Sequence, residues 1–279
     1  MNNQNICRIC GSQDLRKVVI GTTDLLNCMR CGIHYAETFS TEENLSDYYK
    51  NKYEITTTDI ADIEFRRLFR STENLELVSE VMKYKKPESS ILDIGCDKGF
   101  FIDQARRLGF ECKGIELSES AVEYAKRSGL DICDGLDKLD KKYDVAVMWH
   151  SLEHFTEPAE FLSELKKHLN ADGYLFIRVP AFDSFWSKIL KSKWIWFQPR
   201  NHYFHYSLKS LKILLEKNGY VVEKIEHRKP NNCTTMRQYS TAKRIMKKQF
   251  GYSIPLRKKL IRIYEDITAV ELFAVAKPK

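Results

Sequence analysis

Four cysteines near the start of the chain, Cys7, Cys10, Cys28 and Cys31, are spaced as CxxC, seventeen residues, CxxC. Each pair lies in a knuckle-like turn ending in glycine, CRICG and CMRCG. Such turns let two thiolates each converge on one tetrahedral ion while backbone amides face the sulfurs. A redox dithiol or disulfides would use the same residues. The duplicated CxxC, and a polar start MNNQNICRIC without the layout of an export signal, favour a structural zinc. Four thiolates close the coordination sphere, so this ion would stabilise a ribbon and not catalyse. Cys96, Cys112, Cys133 and Cys233 have no such spacing and read as small buried apolar residues. The second chemical feature is ILDIGCDKGF, residues 91–100. An apolar run ends in Asp93, followed by Gly95 and Gly99 with Asp97 between them. A dinucleotide would want GxGxxG, but aligned on Gly95 the other two glycine positions hold Asp97 and Phe100, and a carboxylate there repels a pyrophosphate. A cationic ligand reverses that electrostatic argument. The third feature is WHSLEHF, with His150 and His154 four residues apart. Histidine is the side chain best suited to proton transfer near neutral pH.

These groups need elements to place them. Residues 1–38 form the ribbon, too short to bury a core unaided and so dependent on its metal. Residues 39–86 are helical in pattern, with Leu45, Tyr48 and Tyr49 in one stretch. Ile63, Phe65, Leu68, Phe69, Leu75, Leu77, Val78 and Val81 lie in another, which Pro87 closes. From 87 to 279 strand-like runs (SSILDIG, FECKGIEL, LDICDG, YDVAVMW, YLFIRVP) alternate with helical ones (FIDQARRLG, SESAVEYAKRSG, EPAEFLSELKKHL). The pattern predicts an α/β fold: a Rossmann-like, mostly parallel seven-stranded sheet with helices on both faces, preceded by the small zinc ribbon. The helix SLKSLKILLEKNG should be capped by Ser207 and stopped by Gly219, ahead of the strands YVVEKIEH and VELFAVA. Between those strands, residues 229–265 carry ten Lys or Arg against one Glu. They read as a solvated helical pair, with a weak phosphate or membrane-surface contact as the alternative.

The loop DIGCDKG, with Glu116 ending the second strand in GIELSES, resembles the class I S-adenosylmethionine-dependent methyltransferases. The resemblance continues through CDG, YDVAVMWHSLEHF, DGYLFIRVP, HYFHYSLKSLKILLEKNGY and ELFAVAKPK. It also takes in the cysteine ribbon, because one subfamily, many of whose members modify sugars and polysaccharides, begins with such a zinc ribbon. The family's middle glycine is Asp97 here. The resemblance implies that S-adenosylmethionine lies at this loop, with Asp93 orienting its amino group and Gly95, Cys96 and Gly99 lying against its methionine part. Glu116, flanked by Leu117, would take the two ribose hydroxyls, whose paired donors match two carboxylate oxygens. Asp134 would face the adenine, with Cys133 and Gly135 flanking the ring, and Trp149 is a further cofactor contact. Methyl transfer from a sulfonium needs alignment and, for a hydroxyl acceptor, a base. His154 in LEH is the first expectation for that base and His150 the second. A structural role for His154, bonded to a backbone carbonyl, is the alternative.

Residues 182–206 hold nine aromatics and two histidines after the fifth strand. Packing is the ordinary fate of such a cluster, but at the ligand edge it would form a lid over the acceptor and stack on a sugar ring, with His202 and His205 reaching in. Arg200 could meet an anionic acceptor group, and Tyr48 and Tyr53 could close the pocket from the other side. The expected reaction is O-methylation of a small-molecule, sugar, nucleotide-sugar or glycan hydroxyl. The alternative is an RNA methyltransferase whose ribbon grips nucleic acid. The ribbon has only four Lys or Arg, and WHSL stands where base-amine methyltransferases carry an Asn/Asp-Pro-Pro-aromatic motif. The whole chain of 279 residues has a net charge of +7, is 43% hydrophobic and 30% charged, and intersperses its acids throughout, so nucleic acid is permitted without being indicated. No run approaches the ~20 apolar residues of a membrane span, and a cytoplasmic enzyme is expected.

Overall fold

The computed structural model describes residues 6–37, 60–229 and 270–279. The expectations for Leu45, Tyr48, Tyr49, Tyr53, Cys233 and nearly all of the basic insertion lie outside the described residues. Strands β1 (Leu15–Ile20), β2 (Thr23–Cys28) and β3 (His34–Ala36) form the antiparallel ribbon sheet. Gly21, at φ 66°, makes the two-residue turn between β1 and β2 that a hairpin of this length requires. Helix α1 (Ile60–Met82) leads into β4 (Ser90–Ile94), α2 (Phe100–Arg107), β5 (Glu111–Ile115), α3 (Glu119–Arg127) and β6 (Ile132–Cys133). Then come β7 (Tyr143–Trp149), α4 (Pro158–Leu165), β8 (Leu169–Pro180), the short α5 (Phe185–Leu190), β9 (Phe204–His205) and α6 (Leu208–Lys217). Strands β10 (Tyr220–Arg228) and β11 (Glu271–Pro278) complete the chain.

The large sheet has the order β10-β11-β8-β7-β4-β5-β6. All its pairings are parallel except those of β11, which runs antiparallel to both β8 and β10. Alternation along the strands gives each face its own core. Ile91, Val145, Val147, Phe176 and Phe273 meet Leu77, Val78 and Val81 of α1 and Phe101 and Ala105 of α2. Leu92, Ala146, Met148, Leu175 and Ile177 meet Leu162 and Leu165 of α4 and Leu211, Leu214 and Leu215 of α6. Covered on both sides, β4 reads SILDI and is buried at every position. Ser207 caps α6 through a reciprocal capping box with Ser210, and Gly219 beyond its end takes φ 77°.

The helical pattern of α1 is only half a core. Phe65, Leu68, Phe69 and Leu75 are exposed, while Ile63, Leu77, Val78 and Val81 are buried. The ribbon departs from a simple appendage. Strand β9, more than 160 residues downstream, adds to β3 as the fourth strand of its sheet, pairing Tyr35 with Phe204 and His34 with His205. Ala36 N–H donates to the Tyr203 carbonyl at 3.1 Å, and the rings of Tyr35 and Phe204 stack at 5.5 Å. The four cysteines belong to the same buried cluster as the second face of the large sheet. No helix among the described residues is long and apolar enough to cross a membrane.

Candidate active site

Strand β4 ends in a bend built from alternating left-handed positions, Gly95 at φ 75°, Asp97 at φ 50° and Gly99 at φ 74°. A Cβ at Gly95 would lie 2.8 Å from Ser151 Cβ, and one at Gly99 would collide with Leu130. Asp97 occupies the middle position without breaking the bend, because Asp is among the few residues that tolerate this conformation. The amides of Gly95 and Cys96 both donate to the Ile115 carbonyl, at 2.8 and 3.1 Å. Glu116 then ties two loops together. One carboxylate oxygen accepts from Asp97 N–H at 2.9 Å, and the other accepts from Leu117 N–H and Ser118 N–H at 2.8 Å each. Each carboxylate oxygen has two lone pairs, so this anchoring leaves acceptor capacity for a hydroxyl.

The bend is crowded with acids. Asp93 is fully buried, and burial, with Glu116 and Asp97 adding to it, pushes its carboxyl well above the ordinary range. Glu116 is raised as well, first by burial and against the pull of its amide donors. Arg70 and Lys98 reach Asp97 at 3.8 and 3.6 Å, whereas Asp93 has no cation among the recorded ion pairs of the described residues. Three carboxylates around a glycine bend disfavour a pyrophosphate and suit a ligand that carries positive charge. The other expected cofactor contacts are less convergent. Leu117 is 80% exposed, and Asp134 stands exposed beyond β6. Gly135 is extended, so its conformation does not demand glycine. Cys96 turns away from the bend into a cluster with Ile102, Ala125, Leu130 and Ile132. Trp149 packs edge-on to Phe101 and stacks with Phe273, its buried indole N–H without a partner among the described residues. Cys112 and Cys133 are half-buried, less enclosed than the sequence suggests.

The histidines gather just past β7. His150, at φ 55°, stacks on Trp196 at 5.0 Å. Its Nδ1 lies 3.6 Å from Glu153 and its Nε2 lies 3.3 Å from Glu271. Burial alone would lower its pKa, but these two carboxylates outweigh burial and raise it to about 9. Glu271 also accepts from Arg178 Nε, and Arg178 reaches Glu73 at 3.0 Å, so a largely buried row of alternating charges runs from Glu73 to Glu153. Glu153 is held at about 2 because His150, His154 and His202 together overcome the opposing effect of burial.

His154 ends a single 3₁₀ turn, Leu152–His154. Its Nδ1 is 2.7 Å from the carbonyl of Asn201. A carbonyl only accepts, so Nδ1 carries the proton and Nε2 is the basic nitrogen of the neutral ring. His202 repeats the arrangement, with Nδ1 donating to the Trp196 carbonyl at 2.9 Å and its ring edge-on to His154 at 4.8 Å. Burial pushes His202 down to about 4. His205, expected at the acceptor, instead lies in β9 with its ring between Phe182 and Phe197, and burial drives it to about 3. Most of the aromatic segment is packed in the same way. Trp194, Phe197, Tyr203, Phe204 and Tyr206 are buried, so few of its rings are left to stack on a ligand, while Arg200 is exposed. Residue spacing missed Glu153, Arg178 and Glu271, although a charge inside an apolar strand (YLFIRVP, VELFAVA) is a signal in its own right.

In the ribbon, the sulfurs of Cys7 and Cys31 lie 3.6 Å apart and those of Cys10 and Cys28 lie 3.4 Å apart. All four fall within 4.8 Å of one another. These separations are far beyond the ~2.05 Å of a disulfide. They match the edges of a tetrahedron around an ion with metal–sulfur bonds of ~2.3 Å. The hydrogen bond from Cys31 draws the Cys7 thiol down to about 5, and Cys31 is raised in turn.

The strand order with its one reversed strand, and a glycine bend at the sheet's ligand edge, are the architecture of a methyltransferase domain. The methyltransferase-domain family (Methyltransf_23) matches residues 65–225, more than half of the chain, and the chain belongs to that family. A ubiquinone biosynthesis O-methyltransferase from Rickettsia conorii is 32% identical over 120 residues, which is 39% of this chain and 41% of the relative. Its counterpart from Caulobacter vibrioides is 31% identical over 99 residues, 32% of this chain and 39% of the relative. The chain thus spans about two fifths of the length of these curated relatives. Among solved structures, an S-adenosylmethionine-dependent methyltransferase from Archaeoglobus fulgidus superposes with a TM-score of 0.56 at 21% identity, covering 78% of this chain and all of its own. Magnesium protoporphyrin IX methyltransferase from Synechocystis, solved with bound S-adenosylhomocysteine, gives 0.52 at 14% identity, covering 84% of this chain and 94% of its own.

Proposed function

We propose that this methyltransferase transfers its methyl group to a hydroxyl oxygen of a small-molecule acceptor, with His154 taking the proton. The observation that carries the reading is the fixed tautomer of His154, whose Nδ1 is committed to the Asn201 carbonyl. The relatives named as O-methyltransferases point the same way. Asp93, Gly95, Gly99 and Glu116 would hold the cofactor, which supplies a methyl group on a positively charged sulfur. Glu116 positions both loops of that cradle and offers its one remaining lone pair to a ribose hydroxyl. The acceptor's O–H bond is then cleaved toward His154 Nε2 as its oxygen takes the methyl group. Sugar hydroxyls stay a second acceptor class on the strength of the sequence resemblance alone, since the aromatic rings meant to stack on them are largely buried. A screen of hydroxylated aromatic acids, phenols, nucleotide sugars and primary amines, read as methyl incorporation, separates the classes; transfer only to the amines would overturn the O-methylation reading.

Glu116→Ala should weaken S-adenosylhomocysteine binding at least ~tenfold, because it strands a ribose hydroxyl and frees three amides that shape the bend. Calorimetric titration of the two proteins measures this, and equal affinities would remove Glu116 from the cofactor site.

Cys7, Cys10, Cys28 and Cys31 would hold a structural zinc. Because these residues lie inside the core shared with the large sheet, stripping the ion with a strong chelator should lower the Tm of the full chain by ~10 °C or more. Cys28→Ser should reproduce that shift without chelator. An unchanged Tm, with less than one zinc per chain by elemental analysis, would refute the assignment.

A further inference from the structure

We propose that Glu153, His154 and His202 form a second metal site, distinct from the cysteines, which binds one divalent transition-metal cation at the acceptor end of the sheet. Three observations converge on it. The ligand atoms of these three residues lie within 4.8 Å of one another, the only such cluster besides the cysteines among the described residues. Glu153 is 1% exposed, yet neither of its carboxylate oxygens has a hydrogen-bond partner among the described residues; the nearest recorded approach is the 3.6 Å contact with His150. The His150 imidazolium balances its charge at that distance but donates to neither oxygen, and a buried carboxylate ordinarily has donors or a metal ion to meet it. Both imidazoles spend Nδ1 on a backbone carbonyl, Asn201 for His154 and Trp196 for His202. That outer bond is how metal-binding histidines are oriented, and it makes Nε2 the ligand nitrogen on each ring.

The scaffold joins the two ligand-bearing segments. Glu153 and His154 sit on the 3₁₀ turn after β7, His202 lies just ahead of β9, and the Tyr203 N–H donates to the Glu153 carbonyl at 2.9 Å. Two imidazoles with one carboxylate suit zinc, iron, cobalt or nickel better than magnesium or calcium. Three protein ligands also leave coordination positions open. The cation's role, though not its binding, rests on the O-methylation reading and replaces His154 as the base, because Nε2 cannot hold the cation and accept the proton at once. An acceptor hydroxyl coordinated there would lose its proton to solvent, and its oxygen would form the new bond to carbon as the carbon–sulfur bond breaks with its electron pair left on sulfur.

The test titrates the full chain, its cysteines loaded with zinc, with Co²⁺, followed by visible absorption and equilibrium dialysis. The expected result is one further equivalent whose spectrum lacks thiolate charge-transfer bands. Glu153→Gln and His202→Gln should each lose that equivalent while keeping the ribbon zinc and S-adenosylhomocysteine binding, which show that the variants are folded. Wild-type protein that takes up no Co²⁺ beyond the cysteines, or variants that take up as much as wild type, would overturn the site. Loss of S-adenosylhomocysteine binding in wild type would strike at the methyl-transfer reading alone. Turnover that survives removal of the second equivalent would overturn the cation's role and leave His154 as the base.

Discussion

His154→Ala should lower kcat by ~10²- to 10⁴-fold while S-adenosylhomocysteine binds as before. The size follows from what a positioned base contributes, and the choice of residue follows from the fate of its neighbours. His150 is held between Glu153 and Glu271 and raised to about 9, so at neutral pH it already carries the proton that a base must accept. His205 is enclosed by Phe182 and Phe197. His202 lies beside His154 and is buried; its contact holds the His154 ring edge-on. A purely structural role for His154 would reside in the bond from Nδ1 to the Asn201 carbonyl. His154→Asn keeps a donor near that position but has no basic nitrogen, which separates the two roles. If catalysis is the issue, the Asn variant is as slow as the Ala variant. Recovery of turnover in the Asn variant would make His154 structural.

The readable parts of this chain are those whose physics is local. Strands covered on both faces have to be apolar throughout, and SILDI and YDVAVMW announce themselves for that reason. Ser207 and Gly219 bracket α6 because a cap and a stop act within a few residues. The glycine bend is legible too, and even Asp97 is intelligible once its backbone is seen to be left-handed. What escaped the sequence is set by distant partners. Strand β9 is two residues long and pairs with β3, so nothing in its own pattern marks it as part of the ribbon sheet. Arg178 and Glu271 are 93 residues apart, and each alone reads as an odd charge in an apolar run. The aromatic segment 182–206 has a composition that fits either a lid or a core, and only the packing of Phe182, Trp194 and Phe197 against Leu25 of the ribbon distinguishes them. The same packing walls in His205, while His202, three residues earlier and ahead of β9, is placed against His154.

Glu271→Ala should be among the most destabilising single changes in the molecule, by ~3–5 kcal/mol, because it removes the most deeply buried member of a largely buried ion row and leaves the others. Glu271 is completely buried at the start of β11, where it meets both Arg178 and His150. Its own pKa is lowered, since Arg178 and His150 outweigh the opposing effect of burial. Without it, among the described residues, Arg178 is left paired with Glu73 and His150 with Glu153. Glu271→Gln preserves shape and most hydrogen bonding, so it isolates the charge and should cost less. The row also sets a pH profile. His150 has a folded pKa of about 9, above its ordinary value, so its stabilisation is complete below ~6.5 and is lost as pH rises through about 9. Glu153, lowered to about 2, stabilises fully above ~4.5 and loses that contribution as pH falls through about 2. Between these limits the two groups together give a stability plateau with a decline on its alkaline side. Because Glu271 is a principal cause of the raised His150 pKa, Glu271→Gln should flatten that alkaline decline and bring the His150 proton off nearer neutrality. Urea unfolding from about pH 5 to 9, with the His150 titration followed by NMR, measures both effects. An alkaline slope identical in wild type and Glu271→Gln would mean that His150 does not owe its proton to this carboxylate.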